Sequence, residues 1–200
     1  RLYHDQYCLV KYPLGLGYLS GAVIKNTNWL VQTYNADFNV KKRVFDPEND
    51  YVSGEGFKRY LSTLKNYSLP IWKEVENSIK DYNPSVVGIS AKTQNFVSAS
   101  IVAKIAKEIN PDIKVIVGGV HPTMNGSKVL DCKDIDFLSI GEGEKTIVEI
   151  LHALEKNTEL NSVKGIVFKD NGKIVNTKSQ SYVENLDTLD FPLTNAPKVL

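Results

Sequence analysis

VIVGGVHPT, Val115 to Thr123, decides how this chain is read. Three β-branched residues in a row predict a strand. The run ends on two glycines, which bare the backbone, and a histidine and a proline follow at once. Taken alone, the stretch fits a metal site, a phosphate loop or a seat for a large cofactor.

The flanking sequence supplies the fold. VVGIS (Val86 to Ser90) predicts a strand buried on both faces, and IDFLSIG (Ile135 to Gly141) a further strand. Between the first two, Val97, Ile101 and Ile105 recur at helical spacing, with Val102, Ala106 and Ile109 widening the stripe. Asn110 and Pro111 stop that helix. A short helix is expected around Ser127 to Leu130, and Ile147, Ile150, Leu151 and Leu154 mark another. Strand and helix alternating at this pace mean right-handed crossovers and a parallel sheet. Nearer the N-terminus, Leu16, Leu19 and Val23 predict a helix in which Gly17 and Gly21 permit close packing. Arg43 to Asp46 reads as a strand. Phe57, Tyr60, Leu61 and Leu64 predict a helix, and Trp72, Val75, Ile79 and Tyr82 another begun by Pro70. The first strand is either Tyr7 to Val10 or precedes Arg1. After Asn157 two β-rich runs flank Asp170-Asn171-Gly172, a hairpin signal, and an extended segment follows.

Totals narrow the function. Twenty-four Lys and Arg against 23 Asp and Glu leave a net charge of +1, so no strong field recruits nucleic acid or a membrane surface. Two distant cysteines, Cys8 and Cys132, point to a reducing, cytoplasmic setting. The chain starts at Arg1 and stops just after an extended segment, so it is expected to be a piece of something longer.

Ligands of an open parallel sheet sit outside the carboxyl ends of the strands. Four loops belong to that edge: Pro13 to Gly17, Ser90 to Gln94, Gly118 to Thr123 and Gly141 to Lys145. The candidate contacts are Leu14 and Gly15; Ser90, Ala91, Lys92 and Thr93; Gly118, Gly119, His121 and Pro122; and Gly141, Glu142 and Gly143. GLGYLSG (Gly15 to Gly21) resembles a dinucleotide fingerprint but carries Ser20 where the third glycine belongs. Its glycines equally suit close packing or another cofactor. Glu142 and Glu144 are favourable at a helix start through the macrodipole, and their acidity argues against a phosphate there. A structural zinc site lacks its paired ligands, since His4, His121 and His152 are the three imidazoles. His121 therefore either shapes its loop or lines a ligand. A phosphoacceptor domain of this topology needs a carboxylate and a lysine where Ser90 and Gly141 stand.

Together, YPLGLGYLSGAV, VVGIS, VIVGGVHPT, DIDFLSIGEGEKTIVEIL, VKGIVFKDNGKIV and ENLDTLDFP resemble the N-terminal half of cobalamin-binding radical S-adenosylmethionine enzymes, a group that includes anaerobic Mg-protoporphyrin ester cyclases and methyltransferases. The resemblance covers nearly the whole chain. GGVHPT followed by GEGE is its most specific part. It implies a flavodoxin-like α/β domain over residues 1–157, with helices on both faces of a parallel sheet. A β-hairpin and linker over 158–200 then lead to a radical domain of the same polypeptide. It also implies that Gly118 and Gly119 admit the nucleotide tail of the corrin and that Ser90 hydrogen-bonds it. Two departures qualify it. The D-x-H-x-x-G motif that places a histidine on cobalt is missing, so cobalamin is expected with its tail base off the metal and no protein histidine in its place. The CxxxCxxC that holds a four-iron cluster is missing too. S-Adenosylmethionine and the cluster thus belong to the parent's other half, and this chain is expected to hold cobalamin without catalysing. Two alternatives of the same fold are a scaffold or recognition module that has lost the corrin, and a flavin or nucleotide carrier.

Overall fold

The computed structural model describes residues 7–8, 13–35, 43–44, 61–62, 64, 66–189 and 191–192. The strands are β1 (Tyr7–Cys8), β2 (Arg43–Val44), β3 (Val86–Ser90), β4 (Lys114–Gly118), β5 (Phe137–Ser139), β6 (Ile166–Asp170) and β7 (Lys173–Asn176). The α-helices are α1 (Leu14–Asn26), α2 (Pro70–Tyr82), α3 (Phe96–Ile109), α4 (Val120–Asn125) and α5 (Glu144–Lys156). Leu61, Ser62 and Leu64 are helical as expected, while Phe57 and Tyr60 lie outside the described residues. Local chemistry sets several ends. Pro70 occupies the first turn of α2, where its missing N–H has no partner to lose, and Asn83 closes that helix at φ 50°. Asn157 ends α5 in the same left-handed way.

Five strands form one sheet in the order β3-β4-β5-β6-β7. β3, β4 and β5 run parallel, with Val86 beside Lys114 through Ser90 beside Gly118. The hairpin is not a separate appendage. β6 pairs antiparallel with β5, and its Ile166, Val167 and Phe168 are buried. Asn171 and Gly172 turn the hairpin with φ of 47° and 79°, the pair of positive values that a two-residue I′ turn requires. The α/β fold with a C-terminal hairpin therefore stands, as a mixed sheet. β1 and β2 pair in parallel as a separate two-stranded piece, which supports the Tyr7 reading of the first strand.

Alternation along the strands divides the core. Val115, Val117 and Leu138 meet α2 and α3 through Val75, Ile79, Ala99, Ala103 and Ala106. Ile116, Phe137, Ile166 and Phe168 meet α5 through Ile150 and Ala153, and α1 packs on α5. Full burial of a side chain such as Leu138 or Ile150 contributes about 1.5–3 kcal/mol. Asp136 ties the layers below the site: its Oδ2 accepts from the Val115 N–H and from Lys107 Nζ, each at 2.7 Å.

Four expectations change. Val97 is exposed; the face of α3 that packs on the sheet is Ala99, Ala103 and Ala106, small residues that let the helix sit close, flanked by Val102, Ile105 and Ile109. The glycines of GLGYLSG lie inside α1, not in a strand-to-helix turn, so no phosphate loop forms there. The segment after Gly119 is helix from Val120, seven residues before the expected start at Ser127. Pro122 fits because it falls in the first turn, and a 3₁₀ segment, Gly126–Asp131, continues it. Finally, β3 is not buried on both faces: Gly88 and Ser90 are exposed on the side that carries α1 and α5.

Candidate site at the carboxyl ends of the parallel strands

The exposed face of β3 begins the candidate site. A Cβ added to Gly88 would meet no atom within 4 Å. Ser90 stands two residues further up the same face, level with Gly118 of β4. β4 and β5 are in register at Ile116–Phe137 and Val117–Leu138, and one more step brings Gly118 beside Ser139. Lateral neighbours in a sheet share a face, so Ser90, Gly118 and Ser139 form one row: hydroxyl, bare backbone, hydroxyl. A Cβ on Gly118 would lie 3.5 Å from Ser139 Cβ, and one on Gly143 would lie 3.0 Å from Leu19 Cδ2 and 3.9 Å from Ser139 Oγ. Gly143 before α5 therefore lies against both Leu19 of α1 and Ser139.

Backbone contacts sew the mouth of the site together. Ala91 N–H donates to the Gly118 carbonyl at 2.8 Å, and the Ala91 carbonyl accepts from His121 N–H at 3.0 Å. Gly119 makes this possible. At φ 99° and ψ −166° it occupies a region almost closed to other residues, and its Cβ would stand 2.8 Å from the Ala91 carbonyl oxygen. Thr123 Oγ1 donates to the Gly119 carbonyl at 2.9 Å and accepts from Gly141 N–H at 3.0 Å, joining the β4 and β5 loops.

His121 is held rather than free. Its ring stacks on Phe96 with centroids 4.1 Å apart and planes 21° apart. Nδ1 lies 3.2 Å from Thr93 Oγ1 and 3.3 Å from Asn125 Nδ2. Asn125 Nδ2 also donates to the His121 carbonyl at 2.9 Å, so the ring is fixed from both sides.

Of the expected contacts, Ser90, Ala91, Thr93, Gly118, Gly119 and His121 are brought into direct mutual contact, and Gly141 and Gly143 join them through Thr123 and Ser139. Ala91 and Pro122 are wholly buried. Lys92 is exposed, and its backbone N–H is taken by Asn95 Oδ1 at 2.7 Å. Leu14 and Gly15 sit in the first turn of α1, with open space over Gly15. Glu142 turns to the segment after the hairpin, where its Oε2 accepts from Val183 N–H at 2.9 Å.

The sequence reading missed Ser139, Gly88 and the apolar rim. Ser139 is 7% exposed, and among the described residues its hydroxyl is the buried side-chain polar atom with no hydrogen-bond partner. Such a group costs about 1–3 kcal/mol when left unsatisfied. Val120 and Met124, one turn apart on α4, are 56% and 76% exposed. Ser139 could have been found by counting two residues on from Phe137, which keeps the same face.

Residues 49–151 match the B12 binding domain family. The chain is 37% identical over 122 residues to an uncharacterized methyltransferase of Pyrococcus horikoshii, covering 60% of this chain and 27% of that protein. It is 33% identical over 121 residues to the anaerobic magnesium-protoporphyrin IX monomethyl ester cyclase of Rubrivivax gelatinosus, covering 58% of this chain and 22% of the cyclase. The chain thus spans about a quarter of these relatives. Among solved structures, the radical S-adenosylmethionine methyltransferase TsrM of Kitasatospora setae, with cobalamin and a [4Fe-4S] cluster bound, superposes with a TM-score of 0.57 at 14% identity. That match covers 94% of this chain and 31% of TsrM. At that identity the likeness is one of fold. The family match, spanning more than half the chain and taking in Ser90, Gly118, Gly119 and Ser139, places it: this chain belongs to the B12-binding domain family.

Proposed function

We propose that this chain is the cobalamin-holding module of a larger B12-dependent radical S-adenosylmethionine enzyme. The observation that carries this reading is the row of bare and hydroxyl positions at the strand ends. A strand face left uncovered at Gly88 and Ser90, a bare backbone at Gly118 and an unpartnered hydroxyl at Ser139 fit a long, flat, mostly apolar tail bearing a few polar atoms. The residues present therefore suit the group. Gly88, Ser90, Gly118, Gly143 and Ser139 would take the nucleotide tail. Leu14, Gly15, Lys92, Thr93, Gly119, His121, Gly141 and the apolar rim of Val120 and Met124 would face the corrin or the mouth of the site. Ala91 and Pro122 would serve through backbone and packing, and Glu142 by fixing the segment that leaves the hairpin.

The corrin, when bound, supplies a cobalt able to carry a methyl group or to assist a one-electron step. The protein's part is to bind, orient and exclude water. His121, held by Phe96 stacked on its ring and by Thr93 and Asn125 beside Nδ1, would line the mouth of the site and is expected not to replace the tail base on the metal. Gly88, Ser90, Gly118 and Ser139 would hold the tail and its base along the strand ends. Residues 1–157 form the cofactor part and 158–200 the hairpin and linker toward a radical domain of the same polypeptide. That domain would bring S-adenosylmethionine, the four-iron cluster and the choice between methyl transfer and cyclisation. The setting is a reducing cytoplasm; among the described residues no helix is long and apolar enough to cross a membrane.

Mixing the purified chain with hydroxocobalamin and desalting tests this. The expected result is retained colour with a base-off spectrum, unchanged in shape in His121→Ala. Loss of all colour refutes cofactor binding, and a His121→Ala spectrum shifted from wild type refutes the unligated lower face.

A further inference from the structure

Resting on the cobalamin reading, we propose that Glu142 is a positioning residue, a latch through which a bound cofactor and the chain leaving the hairpin stabilise each other. Strand direction brings the two together. β6 starts beside Ser139 at the carboxyl ends of the parallel strands and runs down the sheet. β7 runs back up, so the chain leaves the hairpin at the same edge as the site. There it is stitched down. Thr177 N–H donates to the Ile166 carbonyl at 3.0 Å, and Gly165 N–H donates to the Lys178 carbonyl at 2.8 Å. A Cβ on Gly165 would lie only 3.1 Å from Gln180 Cβ. Three residues further on, Val183 N–H donates to Glu142 Oε2 at 2.9 Å.

Glu142 stands between two glycines that both belong to the wall of the site. Gly141 N–H donates to Thr123 Oγ1 at 3.0 Å, and Gly143 lies against Ser139. Gly141 takes φ 82°, with open space where a Cβ would stand. A loop of two glycines around one exposed residue loses much backbone freedom when it is fixed. Two partners fix this one from opposite sides: a cofactor against the glycines, and Val183 through the Glu142 carboxylate. Once either has ordered the loop, the other meets it already in place. Linkage makes the effect reciprocal, so the factor by which the latch tightens cofactor binding is the factor by which the cofactor tightens the latch. Tyr182 and Leu186, on either side of Val183, are 84% and 69% exposed, which opens the held segment to a protease that cuts after large apolar residues.

The test uses the whole chain and hydroxocobalamin. Chymotrypsin cleavage after Tyr182 and Leu186, followed by mass spectrometry, reads the seating of the segment, and titration reads the affinity. In wild type, saturating hydroxocobalamin is expected to slow both cleavages about three- to tenfold, the range of one net hydrogen bond. Glu142→Ala lacks the acceptor and Val183→Pro lacks the donor. Each should lose that protection and bind cobalamin more weakly by the same factor, and the double variant should be no weaker than either. Glu142→Gln keeps an acceptor oxygen and should restore most of both effects. The apoprotein melting temperature is expected to be the same in wild type, Glu142→Ala and Glu142→Gln; a lowered value in Glu142→Ala assigns the residue to folding and overturns the latch. Cleavage indifferent to bound cobalamin in wild type, or wild-type affinity in both Glu142→Ala and Val183→Pro, also overturns it while leaving the cobalamin reading in place. Failure of wild type to bind hydroxocobalamin overturns both.

Discussion

Gly118 and Gly119 are adjacent and chemically identical, yet the structure assigns them opposite sensitivities. Replacing Gly119 by alanine forces a side chain to φ 99° and ψ −166°, a conformation that costs of order 1–3 kcal/mol for a residue with a Cβ. The new Cβ would also stand 2.8 Å from the Ala91 carbonyl oxygen, a backbone atom that accepts from His121 N–H at 3.0 Å. Moving that oxygen removes about 0.5–1.5 kcal/mol of net hydrogen bonding. The sum is about 2–4 kcal/mol. For a domain of this size that lowers the melting temperature by roughly 5–15 °C. Gly118→Ala is different. Its Cβ would meet Ser139 Cβ at 3.5 Å, ordinary contact, and alanine in a strand gains rather than loses about 0.5–1 kcal/mol over glycine. The same methyl protrudes into the site, where overpacking against a bound tail costs about 1–3 kcal/mol, a loss of roughly five- to 150-fold in cobalamin affinity. Thermal unfolding of both apoproteins and hydroxocobalamin titration of Gly118→Ala are the assays. Equal melting temperatures for the two variants would refute the backbone argument. Wild-type affinity in Gly118→Ala would refute the site.

Other consequences are as specific. Asp136→Ala leaves the Val115 N–H without its acceptor and Lys107 without its carboxylate, so chemical denaturation should show a loss of about 1–3 kcal/mol, with Asp136→Asn intermediate. Glu142→Ala releases Val183 N–H, and limited trypsin digestion should cut faster after Lys178 while the sheet stays resistant. Lys73 and Lys80, which hydrogen-bond to Glu76, hold its carboxyl at about 2, against an ordinary value of 4.5. A folded value below the unfolded one contributes stability that is complete above pH 4.5 and lost as pH falls toward 2. Acid unfolding of Glu76→Gln should lack that part of the pH dependence, and added salt should shrink it in wild type.

Much of this molecule is legible in its residues. The branched runs at Val86 and Val115 predict parallel strands, Pro70 predicts the start of α2, and Asn171-Gly172 predicts the turn, because each depends on local sterics and periodicity that neighbours do not override. The glycine pair and its histidine point to the carboxyl edge of the sheet for the same reason. Periodicity misleads at Val97, where the packing face of α3 is chosen by the small residues Ala99, Ala103 and Ala106. It misleads again at VVGIS, where an apolar run reads as doubly buried although Gly88 and Ser90 face open space. Which face of a strand is covered depends on helices distant in sequence, and no run of five residues records that. Ser139 is the sharpest case. In the chain it is one polar residue in an apolar strand; only the register of β5 against β4 sets it beside Gly118, where its hydroxyl is buried without a partner. The sequence alone determined that strands end in glycine at one edge of an α/β sheet. Tertiary packing decided that those ends stand in one row with Ser139 beside an uncovered face of β3, because register and the cover over a strand are set by elements distant in sequence.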